Sequence, residues 1–420
     1  MTHTGRRGAA LFIVFALAGL LPQRPMGASR PLRVFLLDPD RVEAARQGIQ
    51  RGDPAFASAW SALKADADKA LAVERFSVTD KSVTPPSGDK HDYMSQAPYF
   101  WPAYASEGSA RGSGEAGAKR PSGLPYIRRD GERNPEINRI TDHLAIDGVV
   151  SSVRTLALAS YLGGETKYCE KAAALLRAFF VDPATRMNPH LEYAQFIPGV
   201  NTGRGIGLIE TRGLTRVVDA IGLLEASSAW RPEDDRDLRD WFSRFLAWMR
   251  ESRNGRDEAA AKNNHGTYYD LQVASYALYL DRRDLARDVL EAAKEKRIAV
   301  QIEPDGRQPL EVARTNAWSY SVGNLDGMTE LATIGDRVGV DLWHYRSADG
   351  RTIRSALLYL APFALGDRKW PHQQIGAWTP QMLFHILRRA APHYQDEEFA
   401  AVMARVPALD PTDRSVLAGR

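Results

Sequence analysis

Two short segments of the chain carry side chains that could together move a proton. Asn263, Asn264 and His265 are adjacent, and Arg314 precedes Tyr320 by six positions. An amide and an imidazole can hydrogen-bond a carboxylate and stabilise its enediolate-like form, while a phenol can transfer a proton. An arginine beside the phenol would favour the ionised phenol through opposite charge. These residue types predict removal of a proton from the carbon next to a carboxylate, as in β-elimination on a polymer of uronic acids.

Each segment also has a purely structural interpretation. Asn263 could be the N-cap of a helix that begins near Thr267, and His265 could be an ordinary surface or core histidine. Capping needs only one amide, so two adjacent amides before a histidine favour a functional site. In the second segment, Trp318 and Tyr320 could be ordinary packed aromatics.

A loop upstream, over residues 87–102, combines aromatic rings with basic side chains. Its rings, Tyr99 and Trp101, could stack on pyranose faces, while Lys90 and His91 could meet carboxylates. The structural alternative is a loop that its aromatic residues hold against the rest of the protein. We interpret the segment as a platform for sugars.

A second loop, over residues 188–207, contains a Gly-x-Gly pattern. No strand precedes this pattern, so a nucleotide-binding loop is not indicated. We expect a tight loop that presents Asn201 and Arg204 to an anion, with Arg212 on the same surface.

The periodicity of apolar residues predicts that almost everything after Leu144 is helical. Short connections between helices of 11 to 16 residues are typical of stacked helical hairpins. The predicted fold is all-α, an (α/α) toroid or incomplete α/α barrel that forms a single catalytic domain over residues 29–420. The predicted helices lie within 38–73 (interrupted near 52–54) and over 149–162, 166–180, 214–226, 235–250, 267–280, 284–299, 324–338, 352–365 and 379–391.

The composition is that of an ordinary globular protein, with 44% hydrophobic and 25% charged residues among 420. Residues 1–28 are predicted to be a secretory leader, because an Arg-Arg pair precedes an apolar run over 8–21. The expected location is therefore periplasmic or secreted, and no other segment has the length of a membrane span. The net charge of +3 falls to about 0 without the three arginines of the leader, so nucleic acid is not an expected partner. Cys169 is the only cysteine and the histidines are scattered, so no disulfide, metal site or cofactor is predicted.

Four runs of residues resemble the bacterial alginate-lyase domain family, which includes polysaccharide lyase families five and thirty-eight. These runs are Lys90–Tyr99, Asn188–Gly207, Lys262–His265 and Trp318–Tyr320, and the resemblance covers roughly residues 76–365. It implies an α/α toroid that cleaves an acidic polysaccharide by β-elimination without a required metal. The Asn-His pair of the family matches Asn264 and His265, and its Arg and Tyr match Arg314 and Tyr320. Together with the loops above, the resemblance gives a predicted substrate-binding set of Lys90, His91, Tyr93, Gln96, Tyr99, Trp101, Asn201, Arg204, Arg212 and Trp318.

The expected activity is cleavage of a 1,4-linked polyuronate, alginate with poly-mannuronate preferred, leaving 4,5-unsaturated uronic acid ends. The Gly266–Tyr269 continuation favours family thirty-eight, which leaves glucuronan as an alternative substrate. Two alternatives belong to other classes. An inverting glycoside hydrolase would need two carboxylates across a cleft, for which Asp89, Asp92 and Glu210 are available. A non-catalytic periplasmic protein that binds polyuronates would not need the intact catalytic set.

Overall fold

The protein is described by a computed structural model that covers residues 1–2, 32–103 and 123–418. The chain divides into two units, Met1–Pro31 and Leu32–Arg420, and every helix and strand of the described ranges belongs to the second unit. The predicted leader lies outside the described residues, apart from its first two. None of the helices found in these ranges is both long and apolar enough to cross a membrane.

Helices dominate the second unit, and they form an open α/α toroid, as the sequence predicted. The inner helices α3, α5, α8 and α12 pack successively on one another, and α2, α4, α9, α13 and α14 pack against them. In chain order the helices are α1 Pro39–Gln50, α2 Pro54–Leu71, α3 Asp142–Gly163, α4 Thr166–Leu176, α5 Leu214–Leu224, α6 Pro232–Glu251, α7 Arg253–Ala259, α8 Asn264–Tyr279, α9 Arg283–Ala293, α10 Ala299–Gln301, α11 Pro309–Val312, α12 Ala317–Val338, α13 Ile353–Ala364, α14 Gln381–Ala390, α15 Glu397–Met403 and α16 Ser415–Ala418.

Most predicted helices are confirmed, but α3, α6, α8 and α12 begin three to seven residues earlier than predicted, and the last two carry site residues. Helix α8 begins at Asn264, three residues before the predicted start, and Asn263 occupies its N-cap position without a side-chain capping bond. Helix α12 begins at Ala317, so Asn324, the predicted start, is buried inside it. The Nδ2 group of Asn324 donates to Gln301 and Gln308, whereas its Oδ1 has no hydrogen-bond partner among the described residues.

The core is centred on α8, which is buried along nearly its whole length. Aromatic side chains from α6 pack against it, with ring centroids of Phe242 and Tyr276 5.1 Å apart and those of Phe245 and Tyr276 5.9 Å apart. A helix buried on all sides has little freedom to shift. The N-terminus of α8, with Asn264 and His265, is therefore held by the centre of the fold.

Short strands that the sequence did not predict organise the two loops. β1 (Met94–Gln96) pairs in parallel with β4 (Tyr193–Phe196), and β2 (Phe100–Pro102) pairs antiparallel with β3 (Tyr126–Arg128). The loop over 87–102 is tied to the start of α3, because the backbone N–H of Met94 donates at 2.9 Å to Asp142 Oδ2, which also forms a buried ion pair with Lys81 Nζ at 2.9 Å. The parallel pair brings the loops over 87–102 and 188–207 side by side.

Candidate active site

A cleft of about 1070 Å³ opens at the N-terminal end of α8. The catalytic residues predicted from the sequence all line it, together with Tyr99, Arg204 and Arg212 from the predicted binding set. Its charge is strongly biased towards arginine. The described lining includes the arginines Arg128, Arg133, Arg204, Arg212, Arg216 and Arg314 and the carboxylates Asp147, Glu210 and Asp326.

The phenol of Tyr320 lies between an arginine and a second phenol. Arg314 Nη2 donates to Tyr320 Oη at 2.8 Å, and the guanidinium carbon lies 3.8 Å from the centre of the Tyr320 ring. On its other side, Tyr320 Oη is 2.8 Å from Tyr99 Oη. Tyr320 is in the first turn of α12 and Tyr99 comes from the loop over 87–102, so two distant segments meet at one hydroxyl.

Arg314 is itself held by a carboxylate. Its Nη2 lies 2.6 Å from Asp130 Oδ1 and its Nε 3.0 Å from Asp130 Oδ2. Burial alone would raise the pKa of Asp130, but the hydrogen bonds from Arg314 and the Thr315 backbone hold that pKa well below its ordinary value. Asp130 is therefore ionised at neutral pH and fixes the guanidinium against the phenol.

Arg314 acts on Tyr320 in the predicted direction, because its charge lowers the pKa of the phenol, but this effect is not the dominant one. Burial and the hydrogen bond to Tyr99 raise the pKa of Tyr320, and the opposing effect of Arg314 is smaller. Part of that effect is cancelled because the charge of Arg314 is paired with Asp130. The phenol is thus neutral at rest, which suits a proton donor.

The imidazole of His265 is oriented from behind by a buried carboxylate. His265 Nδ1 lies 2.7 Å from Glu258 Oε1, and Glu258, in α7, is almost completely buried. A carboxylate accepts a hydrogen bond, so Nδ1 carries the proton in this contact. The other ring nitrogen, Nε2, then carries no proton in this neutral tautomer, and His265 lines the cleft.

Asn264 is supported by a second buried carboxylate. Its backbone N–H donates to Glu311 Oε1 at 2.7 Å, and Glu311 is only 1% exposed. Burial raises the pKa of Glu311 to about 7, although the Asn264 N–H and the charges of Arg314 and His265 act in the opposite direction. Asn264 is only 7% exposed, and its Oδ1 has no hydrogen-bond partner within the described ranges. Such a buried polar group at the edge of a cleft is a candidate ligand contact.

Three arginines of the cleft form no ion pair with any described residue: Arg133, Arg204 and Arg212. Arg204 donates from Nε to the carbonyl oxygen of Gln195 at 2.9 Å and from Nη2 to its Oε1 at 3.0 Å. Burial lowers the pKa of Arg204 to about 10, so the guanidinium is still charged at neutral pH. Gln195 has φ of +49°, a left-handed conformation that is uncommon for a non-glycine residue. These three cations are available to pair with carboxylates of a ligand.

Two predicted substrate contacts are wrong, because the side chains are fully buried. Tyr93 donates from its hydroxyl to Glu210 Oε2 at 2.6 Å and has no exposed surface. Trp318 is equally buried and packs against Trp370 and Trp378. Both rings support the cleft from behind.

Five other predicted contacts do not line the cleft, and their side chains have other partners or positions. Lys90 Nζ donates to the carbonyl of Lys81, and His91 Nδ1 contacts the carbonyl of Arg186. Gln96 is buried in β1. Asn201 Oδ1 accepts the backbone N–H of Ile197. The indole of Trp101 donates to the carbonyl of Glu132, and the guanidinium of Arg129 covers its ring at 5.2 Å. Tyr99 is therefore the member of the predicted platform that reaches the cleft, and sugar binding by Trp101, Lys90 and His91 stays a prediction.

The sequence did not indicate that the carboxylates Asp130, Glu258 and Glu311 belong to the site. It also did not indicate Arg133, which adds a cation to the cleft, or Gln195, whose side-chain amide binds Arg204. Glu258 stands seven positions before His265, and that spacing across the α7–α8 turn is the one signal that could have been used. Across the described ranges, His, Cys, Asp and Glu side chains form no group of three or more that could hold a metal ion.

The fold and the site define a class: an all-helical polysaccharide lyase with an arginine-rich cleft. A family model described as alginate lyase matches residues 77–370, so the chain belongs to the alginate lyase family. A solved alginate lyase from Bacteroides ovatus is 39% identical, with a TM-score of 0.84, over 91% of this chain and 98% of that one. Alginate lyase A1-III from Sphingomonas species A1 is 15% identical with a TM-score of 0.54 over 92% and 96%, which shows the fold alone. A variant of A1-III was solved in complex with a tetrasaccharide, with 16% identity, a TM-score of 0.51 and coverage of 92% and 95%. Among curated proteins, no sequence matches this chain.

Proposed function

We propose that this protein cleaves alginate, a 1,4-linked polyuronate, by β-elimination, with poly-mannuronate as the preferred polymer. The observation that carries the proposal is the hydroxyl of Tyr320 held between Arg314 and Tyr99 in a cleft that Asn264 and His265 also line. The family match and the Bacteroides ovatus relative described as an alginate lyase support the choice of polymer.

In this mechanism the carboxylate of one uronate residue faces Asn264 and His265. Removing the proton from C5 places negative charge on that carboxylate, and donors already in position lower the barrier. The Nδ2 group of Asn264 supplies an amide N–H donor, and Glu258 fixes the imidazole of His265 from behind.

Tyr320 transfers the protons. As a base Tyr320 acts as the phenolate, which forms when its hydroxyl proton leaves to solvent and which the charge of Arg314 at 2.8 Å stabilises; the phenolate takes the C5 proton and becomes the phenol again. The electron pair of the C5–H bond forms the C4–C5 double bond while the C4–O bond breaks. Tyr320 then gives the proton to the glycosidic oxygen. One residue can do both when the C5 hydrogen and the leaving oxygen on C4 lie on the same face of the sugar, in a syn arrangement. For the C5-epimeric sugar, His265 takes the proton from the opposite face and Tyr320 serves only as the acid.

The unpaired arginines suit a polymer with a carboxylate on every sugar. Arg133, Arg204 and Arg212 are cationic contacts for uronates on either side of the cleaved bond. The alternative of an inverting hydrolase receives no support, because Asp89 and Asp92 do not line the cleft. Glu210, the third candidate, accepts hydrogen bonds from Tyr93 and Ser95.

The test is the ultraviolet absorbance of the unsaturated product, measured on poly-mannuronate, poly-guluronate and glucuronan. We expect the fastest rise on poly-mannuronate, and a Tyr320→Phe preparation made in parallel controls for a contaminating lyase. A faster rise on glucuronan would transfer the proposal to glucuronan lyase. Reducing ends without absorbance would point to hydrolysis and overturn it.

We further propose that the protein acts in the periplasm or outside the cell, on the basis of the leader-like residues 1–28. N-terminal sequencing of the mature protein from an extracytoplasmic fraction tests this, and an intact Met1 there would contradict it.

A further inference from the structure

The segment over residues 371–380 lies just beyond the end of the family match at residue 370. It is hydrogen-bonded to residues 315–317, which lie between Arg314 and Tyr320 in the chain. The backbone of Ala317 donates to Gln373 at 3.0 Å, and that of Ile375 donates to Thr315 at 3.0 Å. The backbone N–H of Gly376 donates to Asn316 Oδ1 at 2.7 Å. The segment is therefore a fixed rim of the active site.

Trp378, in this rim, is held firmly and yet exposed. Its ring packs on that of Trp318 with centroids 4.4 Å apart, and Trp318 is itself anchored by Trp370 at 5.3 Å. Despite this packing, 42% of the surface of Trp378 is exposed. Trp318 belongs to the first turn of α12, two residues before Tyr320, so Trp378 is coupled to the position of the catalytic phenol.

Trp378 itself does not line the cleft, but Gly376 and Met382, on either side of it in the chain, do. Leu310 is 52% exposed and Met382 is 45% exposed, and both line the cleft. Such a group of exposed apolar residues beside a polar cleft marks a binding surface. A lone exposed tryptophan would need no explanation, but this one extends an existing site.

The side of the cleft formed by residues 310–323 and 376–382 carries less charge than the side formed by residues 123–139 and 188–213. Apart from Arg314, which is paired with Asp130, the lining residues contributed by 310–323 and 376–382 are uncharged: Leu310, Asn316, Ser319, Tyr320, Gly323, Gly376 and Met382. The three unpaired arginines come from the loops over 123–139 and 188–213. A uronate that reached this rim would find no cation for its carboxylate among them, and it would instead meet a flat indole with its C–H-rich ring face.

We propose that Trp378, with Leu310 and Met382, forms an outer subsite that binds a pyranose ring of the polyuronate by stacking. The proposal rests on the proposed function, because it takes the polymer leaving the cleft as the occupant. Recognition at this subsite is by ring shape, and recognition at the arginines is by charge.

The test is the dependence of kcat/KM on chain length with oligouronates of defined size. Stacking on an aromatic ring contributes about 1 kcal/mol, which corresponds to roughly a fivefold to tenfold change. We expect Trp378→Ala to lower kcat/KM by about that factor on long substrates, mainly through KM, and to leave the shortest cleaved substrate unchanged. The loss should persist at high salt, because no ion pair is involved.

Two further variants separate stacking from folding. Trp378→Leu retains apolar packing on Trp318 without an aromatic face and should behave like the alanine variant, while Trp378→Phe should retain most of the wild-type dependence. Ile375→Ala, which removes an exposed apolar side chain of the same segment outside the cleft lining, is the matched control.

Unchanged chain-length dependence in Trp378→Leu, with the wild type active, would overturn the subsite alone. An equal loss on every chain length would also overturn it, because Trp378 would then act only by supporting Trp318 and Tyr320. A wild-type enzyme that cleaves no polyuronate would overturn the proposed function and this subsite with it.

Discussion

Replacing Glu311 with glutamine should change how the stability of the protein depends on pH. Glu311 is buried beneath Asn264, and burial raises the pKa of its carboxyl to about 7 from an ordinary value of 4.5. The folded protein therefore retains a proton on Glu311 between these two pH values, where the unfolded chain has lost it. Stability from this group is present at low pH and is lost as pH rises towards 7, because the folded state must then bury a charge. Glu311→Gln keeps the shape and an acceptor for the Asn264 N–H, and it has no charge to bury.

The size of the effect follows from the two pKa values. With 4.5 unfolded and about 7 folded, ionisation of Glu311 lowers the free energy of unfolding by about 1 kcal/mol at pH 5 and by about 3 kcal/mol at pH 8. The wild type should therefore lose about 2 kcal/mol relative to Glu311→Gln between these pH values. Other titrating groups affect both proteins equally and cancel in the difference.

The measurement is urea unfolding of both proteins at intervals from pH 5 to pH 8. The difference in unfolding free energy should grow with pH and level off above pH 7, with unchanged denaturant slopes. Glu74→Gln, at an exposed carboxylate, is the control and should run parallel to the wild type. If the Glu311→Gln and wild-type curves also ran parallel within about 0.5 kcal/mol, the carboxyl would not have a raised pKa and the reasoning would be refuted.

Three further outcomes are expected. Tyr320→Phe should abolish turnover while retaining substrate binding, because the ring still packs and only the proton-transferring hydroxyl is lost; turnover within a few-fold of wild type would exclude Tyr320 as the acid. Glu258→Gln should lower kcat about tenfold with little change in KM, since a charge-assisted hydrogen bond to His265 becomes a neutral one, and an unchanged kcat would show that Glu258 does not orient the ring. Treatment with EDTA should leave the activity intact, because no described cluster of ligands has metal-site geometry, and a loss that added calcium or zinc restores would contradict this.

The sequence predicted the fold class well because the apolar periodicity of the inner helices is strong. Helix α8 was identified from this pattern, although its start was placed at Thr267. The error has a physical cause: Asn264, His265 and Gly266 are poor helix formers, and the buried Glu311, distant in the sequence, satisfies the Asn264 N–H that the first turn leaves without a backbone partner.

The catalytic side chains were found from the sequence because their residue types are chemically distinctive and lie close together along the chain. The carboxylates that orient these side chains were not found, because a carboxylate that orients another residue has the same sequence signature as a surface carboxylate. Asp130 is 184 positions from Arg314, and no local pattern connects them. The sequence also did not show which aromatic rings are exposed. Trp101 and Trp378 both lie outside the predicted helices, yet Arg129 covers the ring of Trp101, whereas Trp378 is exposed at the rim.

The left-handed conformation of Gln195 has a consequence for laboratory evolution of the cleft. A non-glycine residue in this conformation costs about 1 to 3 kcal/mol, and β-branched residues tolerate it poorly. Gln195 nevertheless forms three hydrogen bonds. Its carbonyl oxygen and its side-chain Oε1 both accept from the guanidinium of Arg204, and its backbone N–H donates to Ser95 Oγ at 2.8 Å. If position 195 were randomised, a screen for heat resistance would enrich glycine, because glycine removes the backbone strain. A screen for cleavage would lose glycine, because glycine also removes the side-chain oxygen that orients Arg204. A combinatorial library of this wall should keep residue 195 fixed and vary its neighbours, so that selection acts on ligand contacts and not on the backbone.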